Sequence, residues 1–173
     1  MILHPGSAPG DHPPPPEVVL QPGEWHFARE PALLTTLLGS CVAIVLWHPQ
    51  RGWGGMCHYL LPGRAPGRSG GDPRYSDDAF AALLGAARAP GTAPGELTAK
   101  IFGGGDMFEG TLSSDRGTVG QQNITTARRL LAEHGLVGAA ESVGGSAYRH
   151  IRFETWSGDV WVKRVEASGA RRP

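Results

Sequence analysis

Charge of one sign, cysteine in number and long apolar runs are all missing from this chain, and each absence removes a class of function. Its 16 basic and 16 acidic side chains cancel, so no basic field draws nucleic acid or an anionic membrane, and no nucleic-acid partner is expected. No uninterrupted apolar stretch approaches the ~20 residues that cross a bilayer. The opening MILHPGSAPGDHPPPP has neither the charged nor the apolar region of a secretory signal. A cytoplasmic protein without membrane insertion is expected. The two cysteines, Cys41 and Cys57, allow at most one disulfide, and a reducing compartment argues for free thiols. No C-x-x-C or similar ligand pattern joins them to His48 or His58, which sets a metal site aside. Gly103-Gly104-Gly105 lacks the P-loop lysine and the spaced glycines of a dinucleotide site, and reads as a turn letting backbones approach closely. No cofactor is expected.

What is present points to one folded unit. A chain of 173 residues is of single-domain size, and no internal repeat divides it. Residues 1–16, ending in four consecutive prolines, read as a disordered tail; 17–167 form the domain; 168–173 should fray. Short strands are expected at Val18–Leu20, Trp25–Phe27 and Leu33–Leu37. The β-branched run Cys41–Trp47 predicts a strand buried on both faces. A turn at 48–52 leads to a returning strand, Trp53–Leu60, loosened by Gly54-Gly55. A surface loop over 62–74 precedes a helix with Ser76 as N-cap, Tyr75 and Phe80 as a hydrophobic staple, and Pro90-Gly91 as its stop. Leu97–Phe102 is a strand, 120–134 a second helix ended by Gly135, Leu136–Val143 a strand, and Tyr148–Val165 a β-hairpin. The fold class is α/β: a single compact domain of mixed β-sheets flanked by two main helices, a layered sandwich like that of cysteine hydrolases.

The chemistry concentrates between Thr35 and Pro62, TTLLGSCVAIVLWHPQRGWGGMCHYLLP. Cys41 follows the turn-forming Gly39-Ser40 pair, and His58 sits on the returning strand. A thiol attacks only as thiolate, so it needs a base such as a nearby histidine. That histidine needs a partner on its other ring nitrogen, and Thr35 or Thr36 can supply a hydroxyl. On a strand the two threonines face opposite ways, so only one reaches the site. Gly39 and Ser40 let the backbone turn so that the amide of Cys41 or a neighbour faces an oxyanion. Cys57 points away from His58 if the segment is extended, and reads as packing. His48, His134 and His150 read as surface or turn residues. Arg149 is a candidate for holding a substrate carboxylate, or pairs with a neighbour.

These residues resemble a known family. TTLLGSCVAIVL followed by GGMCHYLLP is similar to the chemoreceptor glutamine deamidases of bacterial chemotaxis, the CheD family. The likeness continues through RYSDDAF, KIFGGGDMF, Gly120 with Asn123, and Gly144-Gly145 with Arg149. Two places depart from the commoner pattern: His48, where the family often has an acidic residue, and the residues between Gly145 and Arg149. The resemblance implies a nucleophilic Cys41, a base His58, and Thr35, six positions before the cysteine, as the orienting threonine. It implies hydrolysis of glutamine side-chain amides on methyl-accepting chemoreceptors, giving glutamate and ammonia through a thioester, and the phosphatase CheC as a partner. Two other readings stay open. One is a non-catalytic adaptor binding chemoreceptors or CheC. The other keeps the thioester but hydrolyses a methyl ester or transfers to an amine.

Overall fold

The computed structural model describes residues 13–65, 67, 70–88, 91–108 and 115–166. The expected tail over 1–12, three positions of the 62–74 loop, Pro90 of the helix stop, and the expected frayed end lie outside the described residues. In chain order the elements are β1 (Glu17–Val19), β2 (Trp25–Ala28), β3 (Leu33–Leu38), β4 (Val42–His48), β5 (Trp53–Tyr59), α1 (Ser76–Arg88), β6 (Thr98–Gly103), α2 (Val119–Glu133), β7 (Val137–Val143), β8 (Ala147–Glu154) and β9 (Val160–Glu166).

The strands build two mixed sheets. One has the order β1-β3-β8-β9, the other β2-β5-β4-β6-β7. Val42 to Leu46 have no exposed surface at all, as the β-branched run predicts, because β4 is central and covered on both faces. On one face Ile44, Leu46 and Cys57 meet Phe80 and Leu83 of α1 and Leu130 of α2. On the other, Ala43, Val45 and Met56 meet Leu34 and Leu38 of β3 and Phe153 of β8. The molecule is therefore an α/β sandwich of three layers: helices, five-stranded sheet, four-stranded sheet.

Local chemistry fixes the ends of these elements. The Gln21–Glu24 turn closes with Glu24 N–H on the Gln21 carbonyl at 3.0 Å, with Gly23 at φ 86°, a left-handed value suited to glycine after Pro22. Thr118 caps α2 in a reciprocal box, accepting from Gln121 N–H at 3.3 Å while its own N–H donates to Gln121 Oε1 at 3.0 Å. At the other end Gly135 takes φ 65° and Leu136 N–H returns to the Leu131 carbonyl at 2.9 Å.

Three expectations are corrected. Ser76 is not an N-cap: it lies inside α1, buried, and its hydroxyl donates to the Pro62 carbonyl at 2.7 Å, tying the helix to the end of the β5 segment. Gly54 and Gly55 do not loosen β5. A Cβ on Gly54 would fall 2.6 Å from the Phe153 ring and one on Gly55 2.5 Å from the His26 carbonyl, so the missing side chains let the other sheet and β2 close in. His48 is buried rather than on the surface, edge-on to Trp53, because β4 runs one residue further than its apolar pattern.

Candidate functional site

The antiparallel register of β4 and β5 sets Ala43 opposite His58 and Val42 opposite Tyr59. Side chains alternate along a strand. Cys41, just before β4, therefore shares the face of Ala43 and stands diagonally across from His58. Packing agrees: Cys41 joins the cluster between the two sheets, whereas Cys57 lies in the cluster beneath the helices. Cys41 is partly exposed, and His58 is buried. Both cysteines are free.

His58 is held from three sides. Its N–H donates to the Glu24 carbonyl at 2.9 Å, and its carbonyl accepts from Gly23 N–H at 2.8 Å. Its Nδ1 lies 2.8 Å from Thr36 Oγ1. The same hydroxyl donates its only proton to the Leu20 carbonyl, also at 2.8 Å. Toward His58 it can only accept, so Nδ1 carries the ring proton. Nε2 is then a lone pair, buried and without a hydrogen-bond partner among the described residues. That is the tautomer a general base requires.

Thr35, expected as the orienting threonine, is not at His58. On β3 the inward positions are Leu34, Thr36 and Leu38, while Thr35 faces away and donates to Glu17 Oε1 at 3.3 Å. Counting six residues back from Cys41 lands one position off, and one position on a strand changes the face.

The turn carrying Cys41 is tied by its carbonyl oxygens. Gly39 O accepts from Gly105 N–H at 2.8 Å and Cys41 O from Gly104 N–H at 2.8 Å. Ser40 O accepts from Asn123 Nδ2 at 3.0 Å. The triple glycine is a cradle for this turn: Gly103 sits at φ 104°, and a Cβ there would fall 2.2 Å from the Cys41 carbonyl oxygen, inside any tolerable contact. Gly39 itself packs against Met107 and Tyr148. The sequence suggests close backbone approach at the three glycines but not their partner. It gives Asn123 no role, although a polar residue on the apolar face of α2, buried to 0% exposure, is the signal that could have found it.

Electrostatics keep the site neutral at rest. Burial lowers the His58 pKa to about 4, partly offset by the Leu20 carbonyl and the charge of Glu24. Burial also raises the Cys41 thiol, partly offset by its own backbone amide. Thiol and imidazole are therefore both neutral before any reaction. Arg149 is buried, its guanidinium donating to Ser142 Oγ at 3.2 Å, the Ala147 carbonyl at 3.3 Å and the Gly144 carbonyl at 2.7 Å. These bonds pin β8 to the end of β7 across the two sheets and use three of the five guanidinium N–H groups. Among the described residues no group of His, Cys, Asp and Glu side chains is arranged to hold a metal, and no helix is long and apolar enough to cross a membrane.

A cysteine at a glycine turn, a histidine with a free Nε2 and a threonine behind it, set in an α/β sandwich, are parts that suit an amide hydrolase. Residues 60–164 match the family model CheD, described as chemotactic sensory transduction, and the chain belongs to that family. The matched segment begins just beyond His58. The chain is 45% identical over 155 residues to the probable chemoreceptor glutamine deamidase CheD 3 of Dechloromonas aromatica, covering 89% of this chain and 91% of that protein. It is 46% identical over 149 residues to the probable chemoreceptor glutamine deamidase CheD of Pseudomonas fluorescens, covering 85% and 84%. Among solved structures it is similar to the Bacillus licheniformis hypothetical protein YfiH, with TM-score 0.47 and 14% identity over 70% of this chain and 51% of that one.

Proposed function

We propose that this protein is a chemoreceptor glutamine deamidase, converting glutamine side chains of methyl-accepting chemoreceptors to glutamate and ammonia. The names of its relatives support the substrate. The observation that carries the chemistry is the Leu20–Thr36–His58 chain, which leaves Nε2 as a free lone pair on the face of Cys41.

As the Cys41 sulfur bonds the carboxamide carbon, its proton passes to His58 Nε2, and the carbonyl oxygen becomes an oxyanion facing the amides of the Gly39–Cys41 turn. The oxyanion collapses, the C–N bond breaks, and His58 returns the proton to departing ammonia. Water then attacks the thioester with His58 as base, releasing glutamate and restoring the thiol. Thr36, in place of Thr35, orients the imidazole throughout. Gly39 and Ser40 shape the turn.

A protein substrate suits the rim. Phe108 is 71% exposed and Val119 41%, and both line, with Ser40 and Met107, a cavity of about 230 Å³ beside the turn. Exposed apolar groups of this kind mark protein contact, and the same rim suits CheC as a restraining partner. A cytoplasmic location follows from a substrate on the receptors' cytoplasmic region.

The test is peptide mass spectrometry of a chemoreceptor cytoplasmic fragment after incubation with wild type and with Cys41→Ala. Conversion of defined glutamines to glutamate, with ammonia released by wild type alone, is expected. Binding without conversion by either protein would replace this reading with the adaptor.

A further inference from the structure

Three consecutive carbonyls in the Gly39–Cys41 turn accept hydrogen bonds from the segment between β6 and the first turns of α2. Two of the donors are backbone amides, of Gly105 and Gly104. The third, holding Ser40 O at 3.0 Å, is a side chain: Asn123. The second proton of Asn123 Nδ2 goes to the Leu60 carbonyl at 2.9 Å, two residues past His58. Both contacts are to acceptors, so the amide orientation is settled, since reversing it would set oxygen against two carbonyl oxygens. Asn123 Oδ1 is buried with no partner among the described residues, so the side chain gives up its own satisfaction to make these two bonds. Its position is fixed in turn by Tyr59 Oη, which donates to the Asn123 carbonyl at 2.6 Å.

A trans peptide is planar, with its C=O and N–H pointing opposite ways. A Ser40 carbonyl held toward α2 therefore sends the Cys41 N–H away from the helix layer. Away from the helices lies the space between the sheets, where the Cys41 side chain packs.

We infer that Asn123 is a positioning residue that aims the Cys41 amide at the reacting centre as an oxyanion donor, by holding the other end of the same peptide. The inference rests on Cys41 being the nucleophile proposed above. Asn123 does not touch the reacting atoms. It acts through the Ser40–Cys41 peptide, and through Leu60 it ties that peptide to the strand bearing His58.

Two reactions of one thiol separate this role from simple structural support. Acylation of Cys41 by p-nitrophenyl acetate forms an S–C bond at a carbonyl, passes through an oxyanion and expels p-nitrophenolate, the thiol proton going to His58. Alkylation by iodoacetamide displaces iodide and forms no oxyanion. In Asn123→Ala, acylation at Cys41 should fall about tenfold or more while alkylation stays within about twofold of wild type, since only the first reaction needs an aimed donor. Thermal melting identifies folded protein, and Asn123→Ser, which keeps a smaller donor, is the second variant and should show the same selective loss. Parallel losses in the two reactions, or no loss in either, in any folded variant would overturn the inference. Neither reaction uses a chemoreceptor, so a wild type that acylates normally but leaves receptor glutamines intact would defeat the proposed substrate and not the role of Asn123.

Discussion

Cys57 and His58 are neighbours in sequence and both buried, yet they serve different faces of the five-stranded sheet. Cys57 lies under α1 and α2 among the apolar side chains of Ile44, Phe80 and Leu83, and burial pushes its thiol up to about 12. His58 faces the other sheet, where Thr36, Leu20 and the Cys41 turn bring polar groups into an otherwise apolar layer. The difference shows how a strand separates stability from chemistry. Alternation lets one run of residues build a dry core on one side and a polar site on the other. The two cysteines follow suit: Cys57 is sealed, whereas Cys41 is partly exposed.

The largest expected effect lies on the polar face. Cys41→Ala should lower deamidation by about 10³-fold or more, the scale on which nucleophile removal is felt, measured as ammonia release from a receptor fragment. Next comes the pH dependence of stability. His58 has a folded pKa of about 4 against an ordinary 6.5, so between these values the unfolded chain binds the extra proton. Its contribution is complete above pH 6.5 and is lost as pH falls toward 4, at most about 3 kcal/mol. Urea titrations of wild type and His58→Gln across this range should show the acid-side loss in wild type and a flatter curve in the variant.

A smaller contrast sits within one strand. Thr36→Val should reduce kcat about tenfold to a hundredfold, because Nδ1 loses its acceptor and the tautomer is no longer fixed, while Thr35→Val should stay within about threefold. A larger loss in Thr35→Val would restore the residue implied by family spacing. The smallest effect belongs to the dry face. Cys57→Ala should cost about 1 kcal/mol in urea unfolding, by loss of packing, and leave deamidation nearly intact.

Much of this arrangement was legible in the chain. The β-branched run after Cys41 has one reading as a doubly buried strand, and the turn residues before Trp53 return it antiparallel, which is what brings Cys41 and His58 to one face. Alternation also established that only one of Thr35 and Thr36 could reach His58, but not which one. That depends on how β3 sits against the other sheet, a tertiary relation which the count from Cys41 through a turn does not preserve. Asn123 and the glycine cradle were hidden for a related reason. Their partners are backbone carbonyls more than sixty residues away in the chain, and a carbonyl leaves no mark in a sequence. His48 was misplaced because a histidine before proline reads as a turn when its strand extends by one residue.

The central claim is that Thr36 fixes a neutral His58 with its proton on Nδ1, leaving Nε2 to accept the proton of Cys41. Two-dimensional 1H–15N spectra of the imidazole in protein labelled at histidine nitrogen, recorded at pH 7 on wild type and Thr36→Val, test it directly. The account predicts a protonated Nδ1 and a bare Nε2 in wild type, with mixed tautomers in the variant. A wild-type His58 that is an imidazolium, or that carries its proton on Nε2, would contradict it.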